Sequence, residues 1–413
     1  MSMSDQLRAD SGVGNRLPDF GQYGLISRCR GCGQPQDEWH VLLRMDPMPL
    51  AGQFCETKIE ATAAKRYPLT WVQCSWCELV QVLEDVPDDV LYRQYRYGSS
   101  TIPGLVRHFE DYSKFLVQRF GPSGTHIVEI GANDGVLLSR LPGAWHRVGI
   151  DPSDVAHEQK SGDYELLNVP FTLQLAATYP YKGQVDLVTS SNAMAHFTDL
   201  HGAIQAAHVL LRTGGELILE VHDLSATLQG GQWDTIYHEH KVEWSEYSLR
   251  ACVTKLGFEA TFTQRLPLHG GLLRCGFRSI DRANPILRPR ALDPEPFRPL
   301  VEGYRHRRES PLYAAIDAAG RDGRRVVAYG ASGRANVWIN QMPEVKVEYV
   351  LDDSPLRSGR WLPCVAVPIY PSATLANDTP DVCLVTAWNY SLDIRAKHPS
   401  FKGTWLQTFD SET

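Results

Sequence analysis

No stretch of the 413 residues approaches the eighteen or so uninterrupted apolar side chains that a membrane-spanning helix needs. The first residues are polar and mixed in charge, without the apolar segment that follows a basic start in a secretory leader, so the protein is expected to stay in the cytoplasm and off the membrane. Positive charge is also short: 41 lysines and arginines face 48 acidic residues, and no long basic run interrupts them. That balance argues against a nucleic-acid footprint and for small-molecule chemistry. Nine cysteines cannot all pair, which argues against a disulfide framework in a chain of this kind and makes metal ligation the first alternative. No heptad array or large apolar helix face stands out, so the oligomeric state is left open. What is present is ample apolar material, 43% of residues, enough for two or three packed domains.

Four of the cysteines fall into two knuckles, Cys29-Arg-Gly-Cys32 and Cys74-Ser-Trp-Cys77. Small or polar residues between each pair let both sulfurs turn onto one ion, and four thiolates make a closed tetrahedral zinc site with no position for water. Such a site is structural; the competing reading is a pair of redox or unrelated C-x-x-C turns. A hairpin insert through Pro47, Pro49 and Pro68 can fill the stretch between the knuckles. Cys252, Cys275 and Cys383 lie in apolar surroundings and read as core, while Cys55 and Cys364 read as ordinary thiols.

The dinucleotide signature G-x-G-x-x-G is likewise missing. In its place stands Glu129-Ile-Gly-Ala-Asn-Asp-Gly135, preceded by Ile127 and Val128 and followed by Gly149-Ile-Asp-Pro-Ser153. The pattern is strand, glycine turn, helix, strand and acidic residue, with Gly131 and Gly135 freeing the backbone and Leu137, Leu138 and Leu141 predicting an apolar helical face. Asp151, about twenty residues after Gly131, stands where a carboxylate takes both hydroxyls of a ribose. Asn133 and Asp134 occupy positions where a pyrophosphate wants bare glycine, and Glu129 suits a ligand with a positive end. S-adenosylmethionine, with its ammonium and sulfonium, fits better than NAD. An ordinary strand-to-helix turn is the bland alternative.

The alternation continues through a strand over Val185 to Thr189, a helix over Asp199 to Leu211 and a strand over Gly215 to Val221, which predicts a doubly wound α/β domain. In such sheets ligands sit beyond the C-terminal strand ends, so Asn192 and His196 are expected at the cofactor cleft. Just after the last strand, Tyr237-His-Glu-His240 crowds a phenol, a carboxylate and two imidazoles together. A metal half-site would need a third ligand, and none stands out in the sequence. The remaining readings are a polar surface loop or a general base with groups that polarise a substrate. Methylation of carbon, unlike that of oxygen or nitrogen, requires a proton to leave first, and so needs such a base.

The order of zinc knuckles, Tyr95-Arg-Tyr-Gly-Ser-Ser100, the Glu129 to Gly135 loop, Asn192 to His196, Tyr237 to His240 and His269-Gly-Gly271 resembles the sugar C-methyltransferases of bacterial deoxysugar and antibiotic biosynthesis, over nearly the whole chain. The resemblance implies an N-terminal zinc-binding domain (1–95), a central S-adenosylmethionine domain (96–281) and a C-terminal Rossmann-like domain (282–413). Its substrate would be a nucleotide-linked 4-keto deoxysugar, with dTDP the expected carrier. His240 would be the base, Tyr237, His196 and one of Tyr95 and Tyr97 would line the sugar, and Glu239 would orient it. Glu129, Gly131, Asn133, Asp134, Asp151 and Asn192 would hold the cofactor, and His269, Arg274, Ser332, Arg334 and Asn340 would join Tyr95 on the substrate. The chain departs from the family at Arg334-Ala335, where a basic residue and glycine are usual, and at Leu272, where a small hydroxyl residue is common. Independently, Arg325 to Arg334 repeats a strand-then-glycine pattern and Val347 to Asp352 reads as the next strand, while Arg282 to Pro299 reads as a connection. A heteroatom methyltransferase and a silent zinc-and-nucleotide binding module are the other classes.

Overall fold

The computed structural model describes residues 20–36, 39–92, 98–158, 163–281 and 286–409; Tyr95 and Tyr97 lie outside the described residues. Strands β2 (His40–Met48), β3 (Tyr67–Gln73) and β4 (Val80–Val82) form the antiparallel meander of the N-terminal unit, and β1 (Gly24–Leu25) pairs with β5 (Glu84–Asp85) beside it. The hairpin expected between the knuckles is β2 and β3.

A seven-stranded sheet follows, made of β6 (His126–Ile130), β7 (His146–Ile150), β8 (Glu165–Leu167), β9 (Val185–Ser191), β10 (Leu211–His222), β12 (Phe258–Leu266) and β13 (Leu272–Ser279). Its order is β12-β13-β10-β9-β6-β7-β8, with β13 antiparallel to both neighbours and the other pairs parallel. Helices cover both faces, so the central strands are apolar nearly throughout, as Ile127, Val128, Ile130, Val185, Leu187 and Val188 show by their burial. Strand order reverses between β6 and β9, and that switch point opens a crevice at the C-terminal strand ends. Asp199 caps the helix Leu200–Leu210 by accepting from the Gly202 N–H.

One expectation fails here. Leu137, Leu138 and Leu141 are buried, but the helix they were to face is a single 3₁₀ turn, Leu138–Arg140. The span from Gly135 to Pro142 is too short for a longer helix, because Pro142 cannot continue one.

The C-terminal sheet is wholly parallel: β14 (Val326–Tyr329), β15 (Val350–Asp352), β16 (Ile369–Pro371), β17 (Val382–Val385) and β18 (Thr404–Gln407), in the order β16-β15-β14-β17-β18. Among the described residues no helix is long and apolar enough to cross a membrane.

The N-terminal unit is wedged against both other sheets. The knuckle cysteines and Leu79 share a core with Leu200, Ile204, Leu249 and Cys252, and the Arg30 carbonyl accepts the His201 N–H at 2.8 Å. Met48, Leu69 and Trp71 share another core with Leu300, Val337 and Trp338 of the C-terminal part. Finally β11 (Val242–Glu243), from the stretch between β10 and β12, pairs with β4 and becomes the edge strand of the N-terminal meander.

Cys29, Cys32, Cys74 and Cys77 are all buried, with Sγ atoms 3.5 Å apart for Cys29 and Cys77 and 3.7 Å for Cys32 and Cys74. Tetrahedral zinc with bonds of about 2.3 Å places its sulfurs roughly 3.8 Å apart, so the thiols fit the ion as they stand. Gln81 donates to Cys29 at 3.3 Å and Gln36 to Cys74 at 3.6 Å, which would stabilise thiolate charge. Zinc is structural in this fold. Cys74→Ser is expected to lose the ion and to lower thermal stability by several kcal/mol of the roughly 10–16 kcal/mol such sites supply, as read by metal content and thermal unfolding.

Candidate active site

A cleft of about 620 Å³ lies where the C-terminal strand ends of the central and C-terminal sheets face each other. Its walls are the loop after β6 on one side and the turn after β14 on the other, and its floor is the segment Tyr237 to His240.

Along the wall after β6, Gly131, Asn133, Asp151 and Asn192 line the cleft, whereas Glu129 and Asp134, also expected at the cofactor, do not. Asp151 is held ready by two backbone donors, the N–H groups of Asn133 and Ser153, each at 2.8 Å. Gly131 has φ +73°, and a Cβ there would lie 2.3 Å from the Ala193 side chain, so the glycine is required by the neighbouring loop as well as by the turn. Asn133 and Asp134 serve a purpose the sequence did not reveal: their carboxamide and carboxylate accept from the N–H groups of Ser99 at 2.9 Å and Ser100 at 2.8 Å. They tie the 98–101 segment over the cofactor loop. Glu129 is buried beneath, and burial, then Asp151, Asp134 and Glu220, push its carboxyl well above the usual range. Asn192 adopts φ +57°, and its Oδ1 is a buried acceptor without a donor. S-adenosylmethionine, whose ribose hydroxyls and ammonium are donors, suits a wall built of such acceptors.

On the floor, the Tyr237 hydroxyl and His240 Nε2 are 2.5 Å apart, and His240 Nδ1 is 3.2 Å from the Thr235 carbonyl. A carbonyl only accepts, so the proton belongs on Nδ1 and the lone pair on Nε2. Burial first, then the charges of His222, His196 and Arg334, hold His240 well below the ordinary histidine value, and its imidazole is neutral. His196 donates from Nδ1 to the Glu239 carbonyl at 2.7 Å, and burial lowers it to about 4. The rings of His196 and His240 are 5.4 Å apart, and those of His222 and His240 5.0 Å. The Glu239 carboxylate accepts from the N–H groups of Gly52 at 2.7 Å and Ala51 at 3.3 Å, so it anchors the floor to the N-terminal unit while still lining the cleft. His238 points away, its Nε2 2.8 Å from the Pro68 carbonyl.

From the far wall, Gly330, Ser332 and Arg334 line the cleft. Ser332 caps the helix Gly333–Gln341 by accepting from the Ala335 N–H at 3.3 Å. Arg334 lies 5.0 Å over the Trp388 ring and donates to the His269 carbonyl at 3.0 Å. His269 itself lines the cleft with φ +53°. The adjacent Gly271 is packed so closely that a Cβ would come within 2.3 Å of Ala226.

Two expected substrate contacts are elsewhere. Asn340 is buried, donating to Asn336 and Pro363, and does not line the cleft. Arg274 stands opposite Glu220 across β13 and β10, donates to it at 2.7 Å from Nε and stacks 4.3 Å over Tyr112. Burial alone would raise the Glu220 carboxyl, but His108, Arg274 and Ser191 outweigh it and hold it below the usual value. His222, which the sequence reading did not single out, is in the cleft because it ends β10.

Family models match successive parts of the chain: a zinc binding domain at 29–92, a methyltransferase domain at 106–261 and a C-methyltransferase C-terminal domain at 293–407. The C-methyltransferase NovU of Streptomyces niveus is 28% identical over 386 residues, 89% of this chain and 91% of that protein. Among solved structures, the CurJ carbon methyltransferase is 13% identical and covers 48% of this chain and 61% of its own, with a TM-score of 0.36. The 1,6-didemethyltoxoflavin-N1-methyltransferase of Burkholderia thailandensis is 15% identical over 43% of this chain and 78% of its own, with a TM-score of 0.32.

Asp151→Ala is expected to weaken S-adenosylmethionine binding by roughly 10- to 100-fold in calorimetry, the value of hydrogen bonds to a charged acceptor. Arg274→Met is expected to cost about 1–3 kcal/mol in denaturant unfolding, because Glu220 stays buried with only His108 and Ser191 to answer it. A rise in KM at unchanged stability would return Arg274 to the substrate.

Proposed function

Since the chain belongs to the S-adenosylmethionine-dependent C-methyltransferases, we propose that it methylates the ring carbon next to the 4-keto group of a nucleotide-linked deoxysugar, with dTDP as carrier. The observation that carries this reading is the shared cleft. One wall is a cofactor loop, the opposite wall is a second nucleotide-type turn, and a neutral imidazole with a hydrogen-bonded phenol lies between them. On this reading the chain divides near 95 and 281, the last part takes the nucleotide end through Ser332 and Arg334, and the enzyme works in the cytoplasm.

S-adenosylmethionine supplies an electrophilic methyl group. The protein's task is to make the sugar carbon nucleophilic. A ketone acidifies its neighbouring C–H; His240 Nε2 takes that proton, and the electron pair moves onto the ketone oxygen. On this reading the Tyr237 hydroxyl, which rests on His240 Nε2, turns to donate to that oxygen once the substrate enters, while neutral His196, whose proton is on the Glu239 carbonyl, lines the sugar as an acceptor. Glu239 keeps the floor fixed, and the cleft walls hold the sugar in one orientation.

The test is mass spectrometry in deuterated water with S-adenosylmethionine and a panel of dTDP-linked 4-keto-6-deoxysugars. Wild-type protein is expected to add a methyl group and exchange the proton beside the ketone, and His240→Ala to lose both by at least about 100-fold. Activity that survives His240→Ala would favour methylation of oxygen or nitrogen. The pH profile follows from burial: with its pKa held well below 6.5, His240 is already neutral at pH 6.5. The rate should therefore hold from pH 8 to 6.5 and fall only on further acidification, as the base becomes protonated.

A further inference from the structure

One buried carboxylate beside the base has no role so far. Glu243, on β11, is 1% exposed, and neither of its oxygens has a hydrogen bond. Oε1 lies 3.8 Å from His240 Nδ1 and 3.9 Å from His222 Nδ1. The His222 Nδ1 is itself buried without a partner. A charge buried this deeply is costly unless something nearby answers it, and the groups that face it are two imidazoles.

A metal ion among these three groups is the first idea, and the geometry speaks against it. His240 Nδ1 is within 3.2 Å of the Thr235 carbonyl, so that nitrogen holds a proton, whereas a metal needs its lone pair. Ligands about 2.1 Å from zinc also lie roughly 3.4 Å apart, closer than the separations here. Two Nδ1–H groups beside one carboxylate, that of His240 already donating to Thr235, account for the same atoms.

We infer that Glu243 is the positioning residue of the base: it holds His222 in the tautomer with Nδ1 protonated and Nε2 free, as the Thr235 carbonyl holds His240, and it is the counter-charge for the imidazolium formed when His240 takes the substrate's proton. The inference rests on His240 acting as base. Around that imidazole, Arg334, His222 and His196 oppose positive charge. Tyr237 occupies Nε2, Glu239 is turned to the Ala51 and Gly52 amides, and Lys241 is turned to Asp88 at 2.5 Å. Glu243 is thus the anion at Nδ1. In the reaction the substrate C–H bond breaks, its proton goes to Nε2, its electrons go to the ketone oxygen, and Glu243 stays ionised throughout, as the carboxylate of a catalytic histidine pair does. His222, on the same carboxylate and lining the cleft, is set to the same tautomer.

Glu243→Gln keeps the shape and removes the charge. With a dTDP-linked 4-keto-6-deoxysugar in deuterated water, it is expected to slow both exchange and methyl gain by about 10- to 100-fold with KM little changed. The acidic limb of its pH profile should move to lower pH, since an imidazolium without its counter-charge releases its proton more readily. Glu243→Asp should recover most of the rate, which a purely structural role would not require. Nitrogen-15 spectra of the histidine rings need no substrate: His240 and His222 should show Nδ1–H in the wild type, and His222 should lose that preference in Glu243→Gln. Zinc content should be one per chain in both proteins. Unchanged rate, limb and ring spectra would overturn the inference, as would a second metal ion in the wild type that Glu243→Gln loses. If no sugar is exchanged even by the wild type, the proposed substrate fails, and the ring spectra still decide whether Glu243 sets the His222 tautomer.

Discussion

The site depends on one constraint: the segment from Tyr237 to Glu243 belongs to the central part of the chain but is held by the N-terminal unit. β11 completes the zinc-stapled meander as its edge strand. Glu239 is tied to the Gly52 and Ala51 amides, His238 to the Pro68 carbonyl, and the Lys241 carbonyl to the Val82 N–H at 3.0 Å. Every residue between the phenol and the carboxylate is thereby fixed in rotation. A loop held only at its ends could not keep Tyr237 and His240 at hydrogen-bond distance while turning His238 outward. The four-cysteine site leaves no open position for water or substrate, so what it gives the cleft is mechanical support.

Burial does the electrostatic work. The floor imidazoles are kept neutral first by burial, and then by His222, His196 and Arg334 around His240 and by His222 and Lys241 around His196, which raise the cost of adding charge. The charges that do remain inside are answered individually. Arg274 and His108 answer Glu220, and Asp234, raised to about 6 by burial, accepts from the Trp388 indole and lies 3.9 Å from Arg334. The last pair fixes the arginine that holds the His269 turn, so the far wall of the cleft is set from behind as the floor is set from below.

Much of this was legible in sequence. The knuckles announce a tetrahedral site because thiolate pairs at that spacing have few other uses, and the Glu129 to Asp151 pattern announces its strand-turn-strand unit because Gly131 and Gly135 take the positive φ of the turn and Asp151 accepts from the Asn133 and Ser153 amides. The density of Tyr237 to His240 marked the floor. What could not be read was direction and partnership. Arg274 looks like a substrate contact until Glu220 is seen across the strand pair, and Asn340 until its helix is seen to turn it inward. Leu137, Leu138 and Leu141 are apolar at helical spacing yet occupy a 3₁₀ turn, because the chain reaches Pro142 before a helix can form.

The sequence by itself determined the fold class, the two cysteine knuckles and the strand-turn-strand unit from Glu129 to Asp151, since each of these units depends on residues close together in the chain whose geometry is local. Only the tertiary structure decided which groups stand around His240. His222 and His269 arrive from the end of β10 and from the turn before β13, Arg334 from the C-terminal sheet, and Glu243 from a strand whose partner lies in the N-terminal unit. Their proximity is a product of strand pairing and domain contact over long separations, and spacing along the chain carries no record of it.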